Sequence, residues 1–154
     1  MKQSILDRID QAVSGRIPHN AALGMRAVAC GPDDVTLSVP YDARLVGNPE
    51  TGVLHGGVIT TLIDATCGMA VFMKLGKPTR IATLDLRIDY LKPASPGRAV
   101  LATAECYKMT RQVAFVRALA YHDSKDDPIA SSAGTFMIFS EGASPMVDEK
   151  AREP

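Results

Sequence analysis

The chain has few cysteines, which limits the ways in which it can be held together. Cys30, Cys67 and Cys106 are its only three; they are widely spaced, and no two of them form a CxxC pair. This pattern argues against a disulfide framework and against a zinc site. We therefore expect a reducing compartment, and specifically a cytoplasmic location.

The sequence also lacks an excess of charge of either sign and a long uninterrupted apolar run. Lys+Arg and Asp+Glu balance at 17 each and the sequence pI is about 6.8, so there is no overall basic field to bind nucleic acid or an anionic membrane. Acidic residues interrupt the apolar residues of 1–20, and no purely apolar stretch reaches about 18 residues. We expect neither a signal peptide nor a membrane span.

What is present is the composition of a folded domain. Hydrophobic residues make up 46% and charged residues 22% of the 154, which fits one globular domain over 1–154. Within it we predict an N-terminal helical extension at 1–20, with an amphipathic helix at 2–14, and a mobile tail at 142–154.

The spacing of apolar residues predicts the elements between these ends. Short β-prone stretches occupy 21–30 and 34–40, and a loop rich in turn formers follows at 47–52. The segment from Gly56 to Lys74 has neither proline nor strict alternation, which indicates one long, largely buried helix. Strand-like patterns then follow at 79–91, 98–109, 112–122 and 128–140.

The first of these later strands alternates strictly. Thr83 and Asp85 fall on one parity and Leu84, Leu86 and Tyr90 on the other, which predicts a half-buried strand with two distinct faces. Four consecutive strands after one long helix indicate an α+β protein, in which a single antiparallel sheet wraps around that helix.

Asp64 stands in the middle of the apolar helix, where an ionised carboxylate carries a large desolvation penalty unless it is paired. Its helical neighbours three and four residues away are all small, namely Thr60, Thr61, Cys67 and Gly68. The carboxylate therefore looks out of a notch and is a candidate general base or nucleophile. The alternative is that Asp64 is exposed at a helix edge or bonds a neighbouring strand.

The tripeptide His55-Gly56-Gly57 begins the same helix. Glycines let a backbone approach a ligand closely, and the unpaired N–H groups of a first helical turn favour negative charge, which suits an oxyanion. Glycine before a helix is also a common turn, and His55 is equally able to act as a cap.

The spacing of the two candidate groups has a consequence for assembly. Asp64 lies about 12 Å along the helix from Gly56, so one carbonyl cannot contact both groups of one chain. If both act on one carbonyl, two copies must share two equivalent sites across a twofold axis.

The stretches GNPETGVLHGGVITTLIDATCGMAV and TLDLRIDYLKPASPGRAVLATAECYKMTRQVAFVRALAY together occupy roughly residues 46–140. They contain, in order, an Asn, the HGG tripeptide, an Asp in the helix and a D-x-x-x-x-Y-x-x-P strand. This order resembles the hotdog-fold thioesterases of the phenylacetic-acid degradation type. The resemblance implies a hotdog fold and hydrolysis of an acyl-CoA thioester to a free acid and CoA. We also expect a homodimer, with two dimers forming a homotetramer.

The resemblance implies roles for individual residues. Asp64 matches the carboxylate that activates water or attacks the thioester carbon, and Gly56 matches the glycine whose N–H polarises the carbonyl from the opposite subunit. His55 matches the histidine that orders this loop, Asn48 an asparagine that positions substrate or water, and Thr83 a Ser or Thr that bonds the attacking water. The segment between Asn48 and His55 is longer by one residue than in several characterised members.

Candidate substrate-binding residues are Gly57 and, in the KMTRQ segment, Lys108 and Arg111. Lys and Arg at a surface turn suit the phosphates of coenzyme A, although such residues are also common as solvated turn charges. Cys67 has no partnered base, so we exclude it from the site. We expect no cofactor, because coenzyme A is part of the substrate.

Two other functions stay open on the sequence. A non-catalytic acyl-CoA binding or sensing module needs the notch and the glycines but no turnover. An enoyl-CoA hydratase shares the architecture, although the HGG order fits it poorly. A nucleic-acid partner is not expected, because no basic helix is visible. The acyl group is left open, because an apolar pocket discriminates by only about 1 to 3 kcal/mol per methylene.

Overall fold

The structure is a computed structural model that describes residues 4–139, so the predicted tail at 142–154 lies outside the described residues. The helices are α1 (Ile5–Val13), α2 (Pro18–Ala22) and α3 (Gly56–Leu75), with a 3-10 turn at Ala43–Leu45. The strands are β1 (Arg26–Cys30), β2 (Asp34–Val39), β3 (Val46–Asn48), β4 (Val53–Leu54), β5 (Ile81–Tyr90), β6 (Val100–Met109), β7 (Val113–Tyr121) and β8 (Ala130–Ile138).

Six of these strands form one antiparallel sheet in the order β1-β2-β6-β7-β8-β5. Alternate residues of the central strands are buried, because one face of the sheet packs against α3. The α+β prediction is confirmed: this is the hotdog architecture, with an antiparallel sheet wrapped around one long helix.

Helix α3 matches its predicted bounds to within one residue. His55 precedes it in an extended conformation, and Gly76 ends it in the left-handed conformation at φ 65°, which glycine adopts without steric cost. Leu62, Ile63 and Val71 on its buried side have no exposed surface. By length and composition α3 would also pass for a membrane span, but half of that stretch is buried in the fold, as in core helices.

Two local predictions are corrected. The β-prone stretch at 21–30 begins with helical residues, because Pro18 starts a short helix, α2, that extends to Ala22. The loop at 47–52 is part of a small hairpin, in which β3 pairs with β4 as a separate two-stranded sheet. The single predicted sheet is therefore accompanied by a second, two-stranded one.

Strand β5 does not have the continuous alternation that its sequence predicts. The pairing with β8 shifts register between Thr83 and Asp85, which makes a bulge at Leu84. Leu84 is 52% exposed. Gly134 on β8 accommodates this irregular backbone, because a Cβ there would lie 2.7 Å from the Asp85 carbonyl oxygen.

The bulge determines which side chains of β5 reach α3. Thr83 bonds Asp64, and Tyr90, seven residues further along, bonds Gly56. In a regular strand, residues an odd number of positions apart point to opposite faces. The predicted assignment of Thr83 and Tyr90 to opposite faces is therefore wrong, because the bulge turns both toward the helix.

Candidate active site

The carboxylate of Asp64 is half-buried on α3 and is held from the neighbouring strand. The Thr83 hydroxyl donates a hydrogen bond of 2.9 Å to Asp64 Oδ1. Within residues 4–139 the carboxylate has no further hydrogen bond and no ion pair. A carboxylate accepts several hydrogen bonds, so most of its accepting capacity is open to a water or a ligand.

At the start of α3, His55 acts as the helix cap. Its Nδ1 accepts the Gly57 N–H at 2.9 Å, and its own backbone N–H donates to the Leu45 carbonyl oxygen at 2.9 Å. An accepting Nδ1 places the ring proton on Nε2. The donor of Gly57, expected to face substrate, is thus already used within the chain.

The Gly56 N–H is different from its neighbours. No acceptor among residues 4–139 bonds it, as is usual for the first N–H groups of a helix. It points out of the first turn of α3, where the helix dipole also favours negative charge. Among the three backbone N–H groups of the HGG segment, it is the one without an acceptor within residues 4–139.

Tyr90 is a residue of this region that the sequence reasoning did not assign to the site. Its hydroxyl donates to the Gly56 carbonyl oxygen at 2.8 Å and lies 2.7 Å from Thr60 Oγ1. The tyrosine of the D-x-x-x-x-Y-x-x-P pattern was the available signal. The bulge concealed which way it points.

Asn48 lies in the hairpin and not against the carboxylate. Its side-chain oxygen accepts the Glu50 N–H at 3.0 Å, so the amide helps to form the turn. The neighbouring Gly47 approaches the cap instead, because a Cβ there would lie 2.9 Å from His55 Cα. The structure does not bring Asn48 to Asp64.

Arg111 is exposed in the β6–β7 turn and Lys108 is exposed near the end of β6, and neither makes a hydrogen bond or ion pair with the other candidate residues within 4–139. Backbone bonds tie this turn to the sheet end at which β5 begins: Ile138 N to Gln112 O at 2.8 Å and Phe139 N to Arg80 O at 3.0 Å. Since β5 runs antiparallel to α3, this end lies beyond Asp64, on the side away from Gly56.

An apolar groove opens beside Gly56. It has a volume of about 440 Å³, and Lys92 is the charged residue of its lining. The other lining residues are Val53, Leu54, Gly56, Ile59, Tyr90, Leu91, Pro93, Ala94 and Ile129.

A second depression, of about 360 Å³, lies on the sheet face opposite α3. Its charged residues pair with one another, Lys125 with Asp34 and Arg117 with Glu105. The groove beside Gly56 is therefore the better candidate for an acyl group.

The thiol of Cys67, one helical turn from Asp64, is buried and protonated at neutral pH. Cys67 has no exposed surface, and burial, with the negative charge of Asp64 as the second cause, raises the pKa of Cys67 to about 12. Within residues 4–139, no three His, Cys, Asp or Glu side chains are grouped so as to hold a metal ion.

The architecture is that of the hotdog class of proteins, and comparison with known proteins identifies the family. The model of the thioesterase superfamily matches residues 51–129, half of the chain. The chain therefore belongs to the thioesterase superfamily, a family of thioester hydrolases.

The chain is also similar to individual relatives and solved structures. The medium/long-chain acyl-CoA thioesterase YigI of Escherichia coli is 29% identical over 79% of this chain and 86% of its own length. A crystal structure of a Pseudomonas aeruginosa protein is 43% identical, with a TM-score of 0.78, and the match covers 87% of this chain and 98% of that one. A thioesterase family protein from Silicibacter pomeroyi is 28% identical over 86% and 96% of the two chains, with a TM-score of 0.75.

Proposed function

We propose that the protein hydrolyses an acyl-CoA thioester to a free acid and CoA. Asp64 acts as general base or nucleophile, and the Gly56 N–H of a partner subunit polarises the thioester carbonyl. The observation that carries the proposal is that α3 holds two groups with free hydrogen-bonding capacity among residues 4–139. One is the Asp64 carboxylate, which accepts a single bond from Thr83, and the other is the Gly56 N–H, which has no acceptor.

The partner is a second copy of the chain, paired through β5. Strand β5 forms an outer edge of the sheet, and its exposed apolar residues include Leu84 and Tyr90, at 52% and 51%. Two such edges running antiparallel would place α3 of one copy antiparallel to α3 of the other. Asp64 of each copy would then approach Gly56 of its partner, which resolves the separation of about 12 Å within one chain.

The same arrangement suggests where the substrate lies. The acyl group would occupy the apolar groove beside Gly56, and the name of the Escherichia coli relative favours a medium or long aliphatic chain. The nucleotide of coenzyme A would extend past the partner's carboxylate toward the β6–β7 turn of that same partner subunit. Arg111 in this turn and Lys108 at the end of β6 are exposed. His55 would order the helix start, and Asn48 would act only if the hairpin moves.

Assembly, subtype and location are part of the same proposal. Two dimers would form a tetramer, and the motif order supports the phenylacetic-acid degradation type. Three free cysteines suit the cytoplasm. Hydrolysis by Asp64 needs no cofactor.

Thiol release from a panel of short, medium, long and aromatic acyl-CoAs tests the activity. Asp64→Asn keeps the shape of the side chain and can still bond Thr83, and it should lower kcat by about 100-fold or more. The variant should retain the circular dichroism and melting temperature of the native protein. If Asp64→Asn or Asp64→Ala turns over every substrate at the native rate, the assignment of Asp64 is wrong; binding without CoA release would indicate a sensing module.

The Gly56 N–H can be removed with little other change to the backbone. Gly56 is the first residue of α3, where proline is common, and His55 has φ −60° and ψ 136°, which residues before proline adopt. Gly56→Pro deletes the N–H and should lower kcat by roughly 100- to 1,000-fold. Gly56→Ala keeps the N–H, and its Cβ would lie 3.5 Å from the Tyr90 hydroxyl, an ordinary contact, so it serves as the matched control.

Mixing the two inactive variants tests the sharing of the site. A dimer of one Asp64→Asn chain and one Gly56→Pro chain holds one intact site. Random reassociation of equal amounts should therefore restore about one quarter of native activity. If the site lay within one chain, no mixture would recover activity.

Truncating the two basic side chains tests the nucleotide site. The double variant Lys108→Ala, Arg111→Ala should raise KM for acyl-CoA by about tenfold and leave KM for the matching acyl-pantetheine unchanged. Equal effects on both substrates would place the nucleotide elsewhere.

A further inference from the structure

Tyr90 reaches the helix start from the strand that carries Thr83. Its hydroxyl donates to the Gly56 carbonyl oxygen at 2.8 Å, and Thr60 Oγ1 lies 2.7 Å from that hydroxyl and 3.2 Å from the same carbonyl oxygen. We propose that Tyr90 is a positioning residue that fixes the direction of the Gly56 N–H toward the thioester oxygen. This inference rests on the function proposed above.

The argument concerns the two peptide planes on either side of the Gly56 Cα. The plane that contains the Gly56 N–H is held at its carbonyl end, where His55 O accepts the Val58 N–H at 2.9 Å. The next plane is held at both ends: Tyr90 bonds its carbonyl oxygen, and its N–H, that of Gly57, donates to His55 Nδ1. With both planes held, the torsions of Gly56 are fixed.

Glycine is the residue for which such external fixing matters most. It has no side chain to restrict φ and ψ, so the direction of its N–H depends on the bonds made by its neighbours. A carbonyl oxygen has two lone pairs, so the bond from Tyr90 adds to the bond that this oxygen accepts within the helix. Loss of the Tyr90 hydroxyl should therefore loosen the donor without unfolding the helix.

The surroundings of Tyr90 favour this role over simple packing. The residue is 51% exposed in the single chain, so it contributes little to the core of its own chain; its ring lines the groove proposed for the acyl group and lies on the edge proposed for the partner copy. It faces the helix only because of the bulge at Leu84. A tyrosine needed for packing alone would not require its hydroxyl at this place.

Tyr90→Phe removes only the hydroxyl, and Tyr107→Phe is the matched control. Tyr107 is 55% exposed on β6, and its hydroxyl makes no hydrogen bond within residues 4–139. We expect Tyr90→Phe to lower kcat by about 5- to 20-fold, with KM changed by less than about twofold and the acidic limb of the pH profile unmoved, because Asp64 is untouched. Tyr107→Phe should leave kcat and KM native.

A spectroscopic measurement separates this inference from the proposed function. An acyl-CoA labelled with ¹³C at the thioester carbonyl is bound to Asp64→Asn, and its carbonyl stretch is recorded by isotope-edited infrared spectroscopy. The Gly56 N–H should lower this frequency, and adding Tyr90→Phe should move it back toward the value in water. Native kcat together with an unmoved band in Tyr90→Phe overturns the role of Tyr90. Absence of CoA release by the native protein overturns the hydrolysis, while the band shift still tests Tyr90.

Discussion

The two edge strands of the sheet differ in length and in how they are covered by the rest of the chain. The edge strand β1 has five residues and is covered by α1: the Asp10 carboxylate accepts the Ala27 N–H at 2.9 Å and pairs with Arg26 at 3.4 Å. The edge strand β5 has ten residues, and within residues 4–139 no helix or strand covers its free side. Natural proteins usually protect long edges because an open edge pairs with another chain.

The comparison supports the proposed dimer, because one edge is closed by the chain itself and the other is open. The strand left open is also the one that bonds Asp64 and Gly56, through Thr83 and Tyr90. Assembly and chemistry would therefore depend on the same ten residues. Variants on β5 should therefore affect assembly and turnover, and variants on β1 should affect neither.

The largest effect is expected from a charge placed on each edge in turn. Leu84→Arg on β5 should convert the proposed dimer to a monomer in sedimentation and lower turnover by about 100-fold or more, because closing the interface would remove the added guanidinium charge from water. Val28→Arg is the control, since Val28 on β1 is 44% exposed. It should change neither assembly nor turnover. A fully active Leu84→Arg monomer would contradict the shared site.

A smaller effect is expected where β5 touches the carboxylate. Thr83→Val removes the hydrogen bond to Asp64 and should lower kcat by about tenfold, because bonds to charged groups contribute about 1.5 to 3 kcal/mol. Thr83→Ser keeps the hydroxyl and should stay within about twofold of native kcat. Steady-state kinetics on the best acyl-CoA distinguishes the two; an equal loss in both variants would mean that the methyl group matters instead.

At the closed edge the expected effect is on stability alone. Asp10→Ala leaves the Ala27 N–H without its acceptor and should lower the free energy of unfolding by about 1 to 2 kcal/mol, with kcat unchanged. Arg26→Ala removes only an ion pair whose arginine is 64% exposed, and should cost less than about 1 kcal/mol. Urea denaturation measures both. A loss of kcat in folded Asp10→Ala would mean that β1 takes part in the site.

The smallest effect concerns two thiols, that of Cys30 on the closed edge and that of the buried Cys67 on α3. The raised pKa of Cys67 keeps the thiol protonated through neutral pH, and its thiolate forms only as the pH approaches about 12. At pH 8, iodoacetamide should therefore modify the half-buried Cys30 of β1 and leave Cys67 intact, as mass spectrometry would reveal, with no loss of activity. Rapid labelling of Cys67 with inactivation would reopen it as a nucleophile.

The sequence predicted the long helix and the four later strands because their apolar spacing is strong and local. It missed α2 and the small hairpin, since each has too few residues to show a period. It also assigned the faces of β5 wrongly, because the bulge depends on the pairing with β8 and not on the residues of β5 alone.

The candidate site was predictable to a different degree for each residue. Asp64 and Gly56 stood out because a carboxylate in an apolar helix and two glycines at its start are unusual. For Thr83 the resemblance implied a bond to the attacking water, and its bond to Asp64 was not predicted, since it joins residues that are apart in sequence. The place of Asn48 depends on the turn that its own side chain forms, which spacing alone does not reveal.

The bulge in β5 also sets a limit on redesign. If β5 paired along its whole length without the bulge and kept all ten residues, Thr83 and Tyr90 would stand seven regular positions apart and point to opposite faces. One of these two side chains would then face away from α3, depending on which end of the strand kept its present contact with the helix. A regular strand of the same ten residues would have lost one of its two contacts with the helix, so a search for a more stable variant should either keep the bulge or remove Leu84 together with it.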